Sequence, residues 1–396
     1  MKTISSFFII LTCQLFGYAQ VSTELLTIEL QKLMEQNSLE GCAVAIYNKD
    51  EVLYTNAFGY ADRKKKIPYT VNTAQKIASI SKTLLATALM KAKGLGLLDL
   101  DDDVNDYLPF RLVNPYFPNT KITIRHLATH SSGMKKSKYD LRAMVFPTKI
   151  PDLYKDLPFG IKRFLAKKGI KILNNNPQMP MKEFLFNIYD PKGKWYKKRK
   201  TFAKSKPGTQ QIYSNNGAAL AALIIEKASG MKYNEFVHKY ILDPLKMKNT
   251  HFDFEIENPS SKDFATLHHM GLEVPNDYQL IIYPAGGLVT NVLDFSKYMS
   301  TMVNGYKGGN QILSSADYQE MMRPQINPDF NRGIFWEVYQ KSIGHSGDIA
   351  GVVTYTYFDK AKGMGYIFFC NTAATKKIDQ ETLAIIDLLK KYYNKM

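Results

Sequence analysis

Apolar residues recur at helical spacing in several stretches of the chain and gather into short, strand-like runs near its two ends. Thr23 to Leu39 predicts an amphipathic helix through Leu25, Leu26, Ile28, Leu30, Leu33 and Met34. A hairpin follows, Cys42–Tyr47 and Val52–Thr55, joined by the polar Asn48-Lys49-Asp50-Glu51 turn. A second helix starts around Ser79 and runs through Leu84, Leu85, Ala88 and Leu89 to about Lys93, where Gly94 and Gly96 end it. Leu98 to Pro109 reads as a helical turn or two, and Ile124 to His130 as a short helix. Asn216 to Ser229 is a strongly apolar helix stopped by Gly230, and Tyr233 to Leu242 is another. The glycine-rich turn Pro284–Leu288 leads into a helix from Val292 to Val303. Strands are predicted at Ile334–Tyr339, Ser342–Gly347, Gly351–Phe358 and Met364–Cys370, with a closing helix from Asp379 to Tyr392. This order predicts an α+β fold: an antiparallel sheet built from both termini and flanked by helices, with the material between them forming a mostly helical lobe.

Composition adds location. The 396 residues carry a net charge of +16, and 45% are hydrophobic, enough for a deep core. Residues 135–206 hold 20 Lys+Arg against 5 Asp+Glu, so nearly all the imbalance lies there. Apolar residues within that stretch (Phe184, Leu185, Trp195) argue that it folds, as an insertion or lid. Its charge makes an anionic membrane or cell-wall surface a candidate partner, the alternative being a solvated face; no nucleic-acid partner is expected. Residues 1–19 resemble a cleavable signal peptide: Lys2, the apolar Phe7–Leu11, and Gly17 and Ala19 at the positions a peptidase reads. That predicts a protein exported to the periplasm or medium, with the domain occupying 20–396. Cys42 and Cys370 sit in apolar runs and read as buried thiols. Seven scattered histidines give no metal-ligand spacing, so neither metal nor cofactor is expected.

Against this frame, Ser79-Ile80-Ser81-Lys82 places a serine one helical turn before a lysine. A serine hydroxyl is a weak nucleophile until a neighbour takes its proton, and a desolvated lysine amine is one group able to do so. The same spacing occurs at Ser132 to Lys135 and Ser229 to Lys232, so spacing alone does not select a site. Only the first pair opens an apolar helix ahead of Tyr213-Ser214-Asn215 and the strand-borne His345-Ser346-Gly347. As a chemical set, these supply a nucleophile, a base, a phenolic relay and a cleft edge for acyl transfer, provided that Tyr213 is acidified by lysine charge. His126 and His130, at i and i+4 with no third ligand, read as structural.

These motifs, with Ile124–Gly133 and Pro284–Leu288, resemble the serine β-lactamase and penicillin-binding-protein superfamily, closest to its class C-like branch. The resemblance covers about 25–394 outside the basic stretch. It implies that Ser79 is the nucleophile, Lys82 its activator and Tyr213 a base or proton shuttle. Asn215 would contact lysine and substrate, His345, Ser346 and Gly347 would line the substrate cleft, and the Ser79 and Asp348 N–H groups would form the oxyanion hole. Family β-lactamases usually begin the third motif with lysine. His345 in its place favours an ester, or a D-amino-acid amide or peptide, as the small-molecule or peptide substrate over a β-lactam. A true β-lactamase or carboxypeptidase is the alternative. A rival of another class is a weakly catalytic or non-catalytic binder of anionic surface glycan or lipid, consistent with the unusual acidic Asp348.

Overall fold

A computed structural model describes residues 23–136, 140–150, 169–259, 261–269 and 272–395. The leader-like segment lies outside the described residues, as does part of the basic stretch. Strands β1 (Gly41–Asn48), β2 (Val52–Asp62), β3 (Ile67–Pro68), β4 (Glu337–Val338), β5 (Ser342–Ile349), β6 (Val352–Asp359) and β7 (Met364–Cys370) form one antiparallel sheet. Its order is β4-β5-β6-β7-β1-β2-β3, so β1 from the N-terminal part lies against β7 from the C-terminal part. The expected sheet built from both termini is present. The long run expected from Ile334 to Tyr339 contributes only Glu337–Val338, because the chain reverses there: Arg332 bridges back to Glu337 and Gly333 N–H bonds the Trp336 carbonyl.

Each face of the sheet carries a core. On the outer face, the helix over residues 23–36 (α1) brings Leu26 and Leu30 against Val44, Phe368 and the C-terminal helix Lys376–Tyr393, which contributes Ile385, Ile386 and Leu389. These two helices are amphipathic because only one stripe of each is covered. On the inner face, Ala43, Ala45 and Phe369 meet the helix Val292–Tyr306, and Phe295 lies 5.6 Å from Phe369 ring to ring. Beyond lies the helical lobe, centred on α2 (Ser81–Gly94), whose residues from Ser81 to Met90 are all buried. It packs on Asn215–Ser229, equally enclosed from Asn216 to Ile225 and stopped by Gly230 at φ 70°. A helix buried on all sides has nowhere to place a charged side chain in water, which bears directly on Lys82.

The described part of the basic stretch is built into this lobe. Helix Met181–Tyr189 buries Phe184, Leu185 and Ile188 in the main core, Phe202 joins them, and Lys135 N–H bonds the Thr201 carbonyl. It is therefore part of the domain, with lysines 192, 194, 197, 198 and 200 on its exposed side. Sequence reading placed no helix there, since its apolar positions were hidden among lysines and prolines. Cys42 and Cys370 are buried, unbridged, and directly opposite each other in the β1–β7 ladder.

One contact fixes the sheet against the lobe. Strand β5 passes so close to the turn before α2 that a Cβ on Gly347 would collide with Thr354 Oγ1 and lie 2.6 Å from the Ile77 carbonyl and 3.1 Å from Ala78 Cβ. Gly347→Ala is expected to lower unfolding stability by about 1–3 kcal/mol, the range for overpacking a tight interior, as read by denaturant titration; an unchanged midpoint would refute this packing.

Candidate functional site

Ser79 lies on a short 3₁₀ turn, Ala78–Ile80, that runs directly into α2. Ala78 has φ 50°, a left-handed conformation that costs a non-glycine residue about 1–2 kcal/mol. Several bonds hold it there. Ser81 Oγ donates to the Ala78 carbonyl at 2.6 Å and accepts from Leu288 N–H at 3.2 Å; Ile77 N–H reaches the Leu288 carbonyl at 3.0 Å, and Thr354 Oγ1 donates to the Ile77 carbonyl at 3.0 Å. The inner serine of the motif is thus a structural pin, while Ser79 is left half-buried at the surface of the turn.

Lys82 is fully buried, and its Nζ donates to Ser79 Oγ at 3.1 Å and to the Ala285 carbonyl. Both partners are neutral. Burial, helped by the nearby Arg332 charge, holds the amine well below the ordinary lysine range. Ala285 sits in the 3₁₀ turn Tyr283–Ala285, so the glycine-rich segment seen in the sequence is what presents the second acceptor.

Tyr213 Oη donates to the same Ser79 oxygen at 2.9 Å. Its segment is fixed by His130, whose carbonyl accepts from Ile212 N–H at 2.6 Å, whose Nδ1 accepts from Ser214 N–H at 3.2 Å, and whose ring lies 4.3 Å from that of Tyr213. Burial pushes the Tyr213 phenol up to about 12, against smaller lowering effects of Ser79 and Arg332. This reverses the expected acidification: the amine meant to supply the charge is itself driven towards neutrality. Asn215 is the first residue of its helix, and Ser214 is the cap, accepting from Gly217 N–H at 3.1 Å. Lys82 bonds Ser79 and Ala285, and the Asn215 Oδ1 is buried without a partner.

On the facing strand, His345 is buried; its Nδ1 lies 2.6 Å from the Ser346 carbonyl, and its Nε2 has no partner. Burial lowers it to about 4, so the ring is neutral at physiological pH, with Glu337 opposing the shift. The Ser346 side chain meets the Tyr357 phenol, which in turn donates to Glu337. Gly347 permits the close approach to Ile77 and Ala78 described above. Because β4 pairs only with Ile343 and Gly344, the rest of β5 presents its edge to the Ser79 turn, with Asp348 on it. The Asp348 carboxyl is exposed and raised, first by partial desolvation and then by Asp379. The other two S-x-x-K matches have no such company: Ser229 ends its helix and bonds the Ile225 carbonyl at 2.7 Å, and Ser132 is buried in a loop.

Two charged residues join the site with no motif to announce them. Arg332 lies 5.9 Å from the Tyr213 ring centroid and 3.1 Å from Glu337, and the Tyr357 phenol donates to Glu337. Their common feature is the chain reversal before β5, which periodicity does not reveal.

The fold and the serine-centred site define the class: serine hydrolases of the β-lactamase and penicillin-binding type. The chain belongs to the Beta-lactamase family, whose model matches residues 29–170 and 175–390 and so runs through most of the basic stretch first read as lying outside the resemblance. Among curated proteins, Penicillin-binding protein 4* of Bacillus subtilis is 30% identical over 56% of this chain, a match spanning 39% of that protein. Putative penicillin-binding protein PbpX of the same organism is 24% identical over 91% of this chain and 78% of its own length. The octameric penicillin-binding protein homologue from Pyrococcus abyssi superposes with a TM-score of 0.66 at 25% identity, covering 93% of this chain and 77% of that one.

The proton arrangement has a readable consequence. A lysine acts as base only when unprotonated, so kcat/KM should fall as pH drops through the depressed Lys82 pKa and stay level above it, with no loss from Tyr213 until pH approaches 12. Lys82→Met should cut kcat/KM about 10²–10⁴-fold while keeping a cooperative thermal transition. A pH profile unchanged in Lys82→Met would exclude this role.

Proposed function

We propose that the protein hydrolyses an ester, or a D-amino-acid amide or peptide, through an acyl-enzyme on Ser79. The observation that carries this reading is the Ser79 oxygen held by two groups at once, the Lys82 amine at 3.1 Å and the Tyr213 phenol at 2.9 Å. Lys82, whose charged form is disfavoured by burial, takes the hydroxyl proton as Ser79 attacks the acyl carbon. Tyr213 is placed to donate its proton to the departing alkoxide or amine, and the proton that Lys82 took from Ser79 replaces it, the Lys82 Nζ lying 5.1 Å from the Tyr213 ring centroid; the two act as a coupled pair. The N–H groups of Ser79 and Asp348 receive the oxyanion. A water then repeats the sequence on the acyl-enzyme.

The substrate preference rests on His345. A neutral ring at the position where family β-lactamases usually carry lysine removes one cation that could grip a substrate carboxylate, and Arg332 is shared with Glu337. The leader-like residues 1–19 and the exposed lysines of 135–206 support an exported enzyme working beside an anionic membrane or wall. No helix of the described residues is long and apolar enough to cross a membrane.

A fluorophosphonate or penicillin probe is expected to label the wild type at Ser79 and leave Ser79→Ala unmodified, as read by intact mass and peptide mapping. In a panel of p-nitrophenyl esters, nitrocefin and D-amino-acid amides, turnover should favour the esters or amides; nitrocefin as the best substrate would reverse the preference. Replacing Lys197, Lys198 and Lys200 with Gln should weaken sedimentation with anionic vesicles at low salt without changing ester turnover. Unchanged vesicle binding would make the charge a solvated face only.

A further inference from the structure

The fold brings together three side chains that share none of the Ser79 contacts: His238, His251 and Glu255. We propose that they form a Zn²⁺ site with two imidazoles and one carboxylate as its protein ligands. Each offers one ligand atom, and these atoms lie within 4.8 Å of one another. The His238 Nε2 to Glu255 Oε2 separation is 3.3 Å. Zinc bonded tetrahedrally at about 2.0–2.1 Å spaces its ligands about 3.3 Å apart, so one edge of the tetrahedron is already set and His251 alone must close on it.

The surrounding structure favours a site over a chance cluster. Glu255 ends a 3₁₀ turn, Asp253–Glu255, that follows the strand His251–Phe252. Its carboxylate is oriented by two donors, Asn234 Nδ2 on Oε1 and Phe252 N–H on Oε2, each at 2.7 Å. Outer-shell bonds of this kind fix a ligating carboxylate in place. His238 opens a π-helical turn, His238–Leu242, an uncommon departure from α geometry that recurs at functional positions. All three residues are half-buried, which lets an ion reach them from solvent. Imidazole nitrogen with one carboxylate oxygen suits Zn²⁺, whereas Mg²⁺ and Ca²⁺ take oxygen ligands. Sequence spacing could not reveal the set, because it spans a helix, a strand and a turn.

The ion would be structural. His251 and Glu255 bracket Asp253, which accepts from Lys76 at 3.2 Å and from Leu280 N–H at 3.0 Å. Lys76 stands three residues before Ser79, and its strand pairs with Leu288–Thr290, as does His251–Phe252. A metal at this point clamps the Tyr233–Leu242 helix to the turn that anchors the nucleophile segment from behind.

The test uses the whole protein, stripped with chelator and titrated with Zn²⁺ by calorimetry near neutral pH. One Zn²⁺ per chain at micromolar or tighter affinity is expected, with no heat from Mg²⁺ and a melting temperature raised by several degrees under saturating Zn²⁺. Co²⁺ in its place should show the visible absorption of a tetrahedral site. His251→Ala and Glu255→Gln, each checked for native circular dichroism, should both weaken Zn²⁺ binding at least tenfold. Absence of binding by the wild type would leave only a His238–Glu255 ion pair and overturn the proposal. So would full Zn²⁺ affinity in a natively folded variant, which would place the ion elsewhere.

Discussion

Burying an amine without a counter-charge is costly, and the protein does so with Lys82. Six residues earlier the same segment buries Lys76, and the contrast shows what the first arrangement is for. Lys76 meets a carboxylate, Asp253, at 3.2 Å, and its Nζ lies 4.5 Å from the Tyr278 ring centroid. Lys82 meets a hydroxyl and a carbonyl. Both lysines lose water, and burial lowers both, but only Lys76 has a charge to oppose the shift. The result is one lysine tied to a counter-charge and one that is not. The enclosed stretch Ser81–Met90 of α2 is the means: a helix with one exposed face there would let the amine reach solvent and remain an ordinary cation.

That choice constrains the neighbourhood. With Lys82 pointing inward, the turn carrying Ser79 is held by two parts of the chain outside the helix and by the helix's own first residue. Thr354 and Gly347 come from the sheet, Leu288 from the glycine-rich turn, and Ser81 from α2 itself. The left-handed Ala78 persists because these contacts over-determine it. Tyr213 is fixed in the same manner by His130, a buried histidine whose backbone and ring both serve the loop carrying the phenol. The reading of His130 as structural is therefore correct, and it is structural in the service of the site.

The sheet built from both termini was legible because its strands are short apolar runs and its flanking helices have a single apolar stripe. The Ser79, Tyr213 and His345 segments were legible because each motif is local in sequence and falls at the start of a helix or on a strand. What was hidden depends on burial and on distance along the chain. Nothing in Tyr213-Ser214-Asn215 says that the phenol will be enclosed, so its shift was expected in the wrong direction. The helix expected from Asn216 starts at Asn215, because helix boundaries move by a residue without altering the pattern. Arg332 and Glu337 come together through a chain reversal that has no period, and the Met181–Tyr189 helix was masked by its own lysines.

The proposed substrate preference turns on the charges at the rim of the cleft. A lysine at the first position of the third motif would be a flexible, fully charged donor able to grip a carboxylate. Here that position is a histidine kept neutral by burial, and the fixed charge sits on Arg332, tied to Glu337 and flanked by the Tyr357 phenol. The Arg332 guanidinium lies 3.1 Å from the Glu337 carboxylate, so part of its charge is already compensated inside the protein. The exposed Asp348 carboxyl adds a negative charge on the strand edge proposed to receive the oxyanion. The proposed preference for uncharged esters and amides rests on these charges: a neutral His345, an Arg332 shared with Glu337, and Asp348.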